Sequence, residues 1–217
     1  MKLLLTSAGW WKNLSIGKEF IKLVGKKPSS IKVLLIITLT ENITKNKYVK
    51  RQFRQFKAVK IPKENITFFQ FERKVQKSDL KGFDVVFVFG GNTFEYLNAI
   101  RKTGLDKAIR AFVKRGGVYL GLSAGSYVVC PTIEAAMWKH PDRNVLGMKD
   151  LRGLSLVPFL ITAHFNRECR DAVTRSALKA RYPVIALTDR QAILVNGKTT
   201  QIIGIGKKNI FNTQSRF

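Results

Sequence analysis

One serine sits between two glycines, spaced as a nucleophile requires. The short apolar run Val118-Tyr119-Leu120 leads into Gly121-Leu122-Ser123-Ala124-Gly125. A G-x-S-x-G pentad at the end of a strand makes a sharp strand-to-helix turn that lifts one hydroxyl above the sheet. Glycine suits positions 121 and 125, where a side chain would collide with the neighbouring strand and helix. Ser123 is the candidate nucleophile. Serine is weakly nucleophilic near neutrality, so it needs a base within hydrogen-bond reach. The chain has two histidines, His140 and His164. His164 follows the apolar run Leu160-Ile161-Thr162-Ala163, which places it at the carboxyl end of a strand, where open α/β sheets bind ligands. His140 lies in the irregular stretch Trp138-Lys139-His140-Pro141 and reads as a surface residue. His164 is the candidate base.

An imidazole in this role needs a carboxylate to fix its tautomer and stabilise its cation. Asp189 follows the strand-like Val184–Leu187 and is the leading acid. Glu134, Asp142 and Glu168 remain open as competitors, and Glu168 sits just after His164. An acyl-transfer reaction also needs donors for a developing oxyanion. The amide of Ala124, next after the serine, is one candidate, and that of Gly91 is the second. Gly90-Gly91 ends a buried strand, and a diglycine lets a backbone amide come close to a substrate. Asn92 and Thr93, on the same turn, are candidate substrate contacts, with Asn92 also suited to cap the helix that follows. Cys130 and Cys169 lack any such turn signature and read as small buried side chains.

These residues need a scaffold that brings strand ends together. Leu3–Thr6, Ile31–Thr38, Ile66–Phe71, Asp84–Phe89, Val118–Leu120, Phe159–Thr162 and Val184–Leu187 read as strands. Several are apolar on both faces, which marks strands covered on both sides. Helical stretches alternate with them: a basic amphipathic one over Asn42–Val59, then Thr93–Lys102, Leu105–Arg115, Gly125–Val129 and Arg167–Ala180. Ala192–Val195 and Thr200–Ile205 flank Asn196-Gly197, a hairpin signal. The alternation predicts an α/β fold: a mostly parallel central sheet with helices on both faces and a late antiparallel hairpin. Residues 131–158 carry Pro131, Pro141, Gly147, Gly153 and Pro158 and read as a loop-rich cleft wall. No repeat, linker or second domain is visible, so residues 1–217 read as one hydrolytic domain.

Composition narrows the class. The 217 residues are 45% hydrophobic, enough for a full core. No apolar run is long enough to cross a bilayer, and the apolar start at Leu3-Leu4-Leu5 is too short for a signal peptide. Two cysteines do not make a disulfide framework and suit a reducing cytoplasm. Lysine and arginine total 39 against 14 acidic residues, a formal charge of +25. Such a charge attracts nucleic acid or anionic membrane. Here the basic residues are scattered, with mild density at 45–63, which favours a solvated surface over a nucleic-acid interface.

Three segments together carry a resemblance: Phe-Val-Phe-Gly-Gly-Asn-Thr at 87–93, Gly-Leu-Ser-Ala-Gly-Ser at 121–126 and Ala-His-Phe at 163–165. They resemble the peptidase E (aspartyl dipeptidase) family of serine peptidases, which includes the cyanophycinases. Leu-Thr-Asp-Arg-Gln-Ala-Ile at 187–193 resembles the part that carries the acid. The resemblance implies a three-layer sandwich like that of class I glutamine amidotransferases, with serine in place of their cysteine. It implies a Ser123, His164, Asp189 triad, oxyanion donors at Gly91 and Ala124, and cleavage after an N-terminal aspartate through an acyl-enzyme, without metal or cofactor. Several members use glutamate as the acid. A small acidic peptide substrate calls for a pairing cation, and Arg167 and Arg170 are placed to supply one. A cyanophycin-like polymer or another acidic peptide is the alternative substrate. An inactive basic protein that holds nucleic acid is the alternative from another class. Lipase-type α/β-hydrolases put the acid before the histidine, the reverse of the order here.

Overall fold

The computed structural model describes residues 1–38, 45–71, 73–139 and 142–212. His140 and residues 42–44, the start of the expected basic helix, lie outside them. Among the described residues, ten strands run in chain order: β1 Lys2–Thr6, β2 Val33–Ile36, β3 Ile66–Phe69, β4 Val85–Val88, β5 Val118–Leu122, β6 Leu160–Thr162, β7 Val184–Ala186, β8 Gln191–Asn196, β9 Thr199–Gly204 and β10 Asn209–Phe211. Six α-helices intervene among the described residues: α1 Leu14–Val24, α2 Lys47–Ala58, α3 Thr93–Thr103, α4 Leu105–Lys114, α5 Ala124–Tyr127 and α6 Arg170–Lys179.

Among the described residues, seven strands form one sheet in the order β3-β2-β4-β5-β1-β8-β9. The first five are parallel, and β8 and β9 join antiparallel as the expected hairpin. Parallel strands must be covered on both faces, and β1, β2, β4 and β5 are accordingly buried almost end to end. At the edge, β9 turns Thr199, Thr200 and Gln201 to solvent, as an unpaired strand edge should.

The register sets up the site. Thr6 of β1 pairs with Leu122 of β5, and Val88 of β4 pairs with Gly121. Residues just past β1, β4 and β5 therefore share one edge. Thr6 also pairs with Ala192 of the antiparallel β8, so the residues just before β8 arrive at that edge from the opposite direction.

Two features depart from the sequence reading. First, β6 and β7 do not extend the main sheet. They pair in parallel in a separate three-stranded sheet, ordered β10-β7-β6, with β10 antiparallel. His164 thus reaches the site from a second sheet and not from the edge where β5 ends. Strand periodicity reports burial and is silent on which strand pairs with which. Second, α1 is missing from the elements read above, although its signals are in the sequence. Asn13 caps it, its side chain accepting from Ser15 N–H at 3.2 Å, and Gly25 closes it at φ +72°. Ile16, Phe20, Leu23 and Val24 are its buried stripe.

The tightest backbone approach lies at the serine turn. A Cβ on Gly121 would come within 2.7 Å of Gly125 O, and one on Gly125 would fall inside van der Waals contact of the Val88 carbonyl. Neither obstacle is the movable end of a side chain. Gly125→Ala should cost about 1–3 kcal/mol, read as a lower urea midpoint at unchanged slope. An unaltered midpoint would refute this packing.

Candidate functional site

Ser123 occupies the junction of β5 and α5 with φ +49° and ψ −110°. A non-glycine residue there is strained, at a cost of about 1–3 kcal/mol. The turn holds it on both sides. Ser123 N–H donates to Thr6 O at 2.9 Å, and Ser123 O accepts from Ser126 and Tyr127 amides at 2.7 and 3.1 Å. Ser126 Oγ donates to Thr6 O at 2.8 Å, and Tyr119 Oη to Gly125 O at 2.6 Å. The side chain of Ser123 is left partly exposed, at the mouth of the edge.

His164 also has a left-handed backbone, φ +54°, fixed by three contacts on consecutive peptide groups. Tyr127 Oη, from the helix after Ser123, accepts Ala163 N–H at 2.9 Å. Lys139 Nζ donates to Ala163 O. Ser7 Oγ accepts His164 N–H at 2.7 Å. With the backbone held, the imidazole stands between two partners. Its Nδ1 is 2.6 Å from Asp189 Oδ1, and its Nε2 is 3.0 Å from Ser123 Oγ. An ionised carboxylate only accepts, so Nδ1 carries the hydrogen and Nε2 is free to take the serine proton.

Asp189 collects three donors. His164 Nδ1–H and Ser7 Oγ–H reach Oδ1, the latter at 2.8 Å, and Lys12 Nζ lies 3.2 Å from Oδ2. The His164 bond does most to hold its carboxyl well below the usual carboxylate range, helped by the imidazole's charge, Ser7 and Lys12 and opposed by burial. The competing acids lie elsewhere. Asp142 accepts from Thr93 Oγ1 and, at 3.2 Å, from Thr93 N–H, and burial raises its pKa. Glu134 is half-buried on a 3-10 turn, its pKa raised by burial. Glu168 is exposed beside His164 without a hydrogen bond to it among the described residues.

Gly90 lies against the serine, since a Cβ there would be 3.4 Å from Ser123 Cβ. Among the described residues no acceptor takes the amide hydrogens of Gly91 or Ala124. Asn92 caps α3, its Oδ1 accepting from Phe94 and Glu95 amides at 2.9 and 3.2 Å, while its Nδ2 donates to Arg143 O. Asn92 and Thr93 thus brace residues 142–143. Cys130 is buried, its thiol pushed up to about 12 by burial. Both cysteines are free thiols.

Beside His164 lies a hollow of about 460 Å³ lined by Trp138, Lys139, His164, Asn166, Glu168, Cys169 and Ala172. Arg167 and Arg170 are exposed and do not line it, and Arg170 lies over the Phe165 ring at 5.4 Å. The cation facing the hollow is Lys139, whose pKa burial lowers against the raising influence of Cys169, Asp189 and Asp142. Among the described residues it forms no ion pair. Sequence reasoning missed Ser7, Lys12 and Lys139. The single available signal was position, with Ser7 just past β1 as Ser123 is past β5.

The model of peptidase family S51 matches residues 3–203. The chain belongs to peptidase family S51. Peptidase E of Nostoc sp. is 31% identical over 140 residues, 61% of this chain and 56% of that protein. An uncharacterized peptidase of Listeria monocytogenes is 27% identical over 118 residues, 53% of this chain and 58% of that protein. The matches thus span little more than half the length of these curated relatives. Among solved structures, a putative peptidase E from Listeria monocytogenes superposes with TM-score 0.72 at 20% identity, covering 94% of this chain and 98% of that one. A peptidase from an acI-B1 actinobacterium gives 0.70 at 20% identity, covering 97% and 90%. Both share the α/β fold. No helix among the described residues is long and apolar enough to cross a membrane.

Asp189 binds its proton less tightly in the folded chain than in the unfolded one. Its stabilisation is therefore full above about pH 4 and is lost as pH falls toward the depressed folded value. Asp189→Asn should be less stable than wild type at pH 7, with the gap closing below pH 4 in denaturant titrations. A gap constant from pH 7 to pH 3 would contradict the assignment.

Proposed function

We propose that this chain is a serine peptidase that releases an N-terminal aspartate from a small acidic peptide through an acyl-enzyme. The observation that carries the proposal is the relay from Ser123 Oγ through His164 to Asp189, at 3.0 and 2.6 Å, on a strained bend. Ser123 Oγ attacks the aspartyl carbonyl while its proton passes to His164 Nε2. Asp189 faces the resulting imidazolium and stabilises it. The amides of Gly91 and Ala124 receive the oxyanion. His164 then protonates the leaving amine, the C–N bond breaks, and the aspartyl group stays on Ser123. In the second half, His164 takes a proton from water, hydroxide adds to the ester, and Ser123 leaves with that proton.

The acidic side chain of the substrate needs a cation in a sheltered place. Lys139 suits this better than Arg167 or Arg170. It lines the hollow beside His164, it is half-buried, and no carboxylate among the described residues pairs with it. Family membership supports peptide hydrolysis in general, and the aspartate preference rests on Lys139 and the resemblance described above.

Wild type should cleave Asp-Leu and leave Leu-Leu intact. Ser123→Ala should lose about a thousandfold or more in kcat/KM. Unchanged Asp-Leu turnover in that variant would remove the proposal. Lys139→Met should lose about a hundredfold more in kcat/KM on Asp-Leu than on Asn-Leu, the loss shared by both substrates coming from its bond to Ala163 O. An equal loss on both would place the carboxylate elsewhere.

A further inference from the structure

We propose that Ser7 is a positioning residue of this site, its hydroxyl tying the peptide that carries His164 to the carboxylate of Asp189. The inference rests on reading Ser123, His164 and Asp189 as the reacting set, and it adds a fourth member that does not touch the substrate. Ser7 is fully buried. A hydroxyl has one hydrogen to give and lone pairs to receive, and Ser7 uses both. Its Oγ–H donates to Asp189 Oδ1 at 2.8 Å, and its oxygen accepts His164 N–H at 2.7 Å. The oxygen also lies 3.4 Å from His164 Nδ1.

The need for such a tie follows from where the parts come from. Ser7 follows β1 in the main sheet, next to the strand that ends at Ser123. His164 follows β6 of the small sheet, and Asp189 lies in the turn between β7 of that sheet and β8 of the main one. The imidazole is half exposed, and its backbone sits in the left-handed region. Lys12 draws on the other carboxylate oxygen, Oδ2, from the solvent side. Without Ser7, the Asp189 carboxylate would be free to turn toward Lys12, and the strained His164 peptide would lose its acceptor.

Ser7 can serve as a fixed point because its own loop is anchored. Gly9 N–H donates to Thr6 Oγ1 at 3.1 Å, whose hydroxyl donates to Gly121 O at 2.8 Å. Trp10 N–H donates to Gln55 Oε1, and its indole N–H donates to Gln55 O at 3.0 Å. Asn13 Nδ2 reaches Arg190 O at 3.3 Å, next to Asp189. The loop after β1 thus grips the acid segment through Ser7, Lys12 and Asn13. Its register with β5 carries Ser123 in the same frame.

The test uses Ser7→Ala, with Ser7→Cys as a second variant whose thiol nearly fills the same space but donates weakly. Two readouts separate positioning from mere stability. The first is the split between kcat and KM on Asp-Leu. Both variants should lose roughly tenfold to a hundredfold in kcat, with KM within about twofold of wild type, because the hydroxyl is sealed from substrate. The second needs no substrate. In ¹⁵N-histidine-labelled protein, the far-downfield Nδ1 proton of His164 should move upfield and broaden, with His140→Gln assigning the two imidazoles. If Ser7→Ala does not fold, Ser7→Cys gives the same two readouts. A kcat within about twofold of wild type, or an unmoved Nδ1 resonance in a folded variant, would overturn the proposal. If wild type cleaves no peptide, the proposed function fails, yet the resonance still decides the role of Ser7.

Discussion

Ser123 holds φ +49° because its neighbours leave the chain no other course. Gly125 presses against the Val88 carbonyl of β4, and Gly121 presses against Gly125. Thr6 of β1 accepts from Ser123 and Ser126. Three parallel strands thus close around one turn, and the turn has no room for a Cβ at either glycine. The strain of about 1–3 kcal/mol in such a backbone is offset by the fully buried strands it joins. What it yields is an alcohol held clear of the interior, facing whatever the rest of the fold brings to that edge.

The rest of the fold brings a second sheet. The small β10-β7-β6 sheet delivers His164, and Asp189 lies in the turn that runs from its β7 to β8 of the main sheet. Tyr127 holds Ala163 from the helix after Ser123, Lys139 holds it from the loop beyond, and Ser7 holds both His164 and Asp189. Every one of these is a polar side chain tied to a backbone group or carboxylate, most of them buried. An arrangement of this kind restrains an imidazole whose own ring is half exposed. It also explains why Asp189 stays ionised although it is partly buried. Three donors converge on it, and together they outweigh the cost of desolvation.

Local rules made some of this legible and left the rest dark. The pentad Gly121–Gly125 encodes its own geometry, so Ser123 and its turn could be read from five residues. The central strands β2 and β4 announced themselves as apolar runs, Ile31–Thr38 and Asp84–Phe89. The late hairpin was marked by Asn196-Gly197, and Asn92 by the helix it caps. The same rules would have found α1, since Asn13 and Gly25 bracket its apolar stripe of Ile16, Phe20, Leu23 and Val24. The division into two sheets was not readable, because pairing is a property of partners and not of a strand. Ser7, Lys12 and Lys139 were invisible for a related reason. Ser7 meets His164 across 157 positions and Asp189 across 182, and no local spacing encodes such a contact. The arginines after His164 were chosen by nearness in sequence, whereas the structure turns them outward and faces Lys139 into the hollow.

The central claim is that the relay makes one hydroxyl reactive among all those in the chain. A serine-directed fluorophosphonate, followed by peptide mass mapping, tests it without assuming a substrate. The account predicts a single adduct on Ser123, formed by the wild-type protein and lost in His164→Ala. An adduct on another residue, or labelling of Ser123 at the same rate without the imidazole, would contradict it.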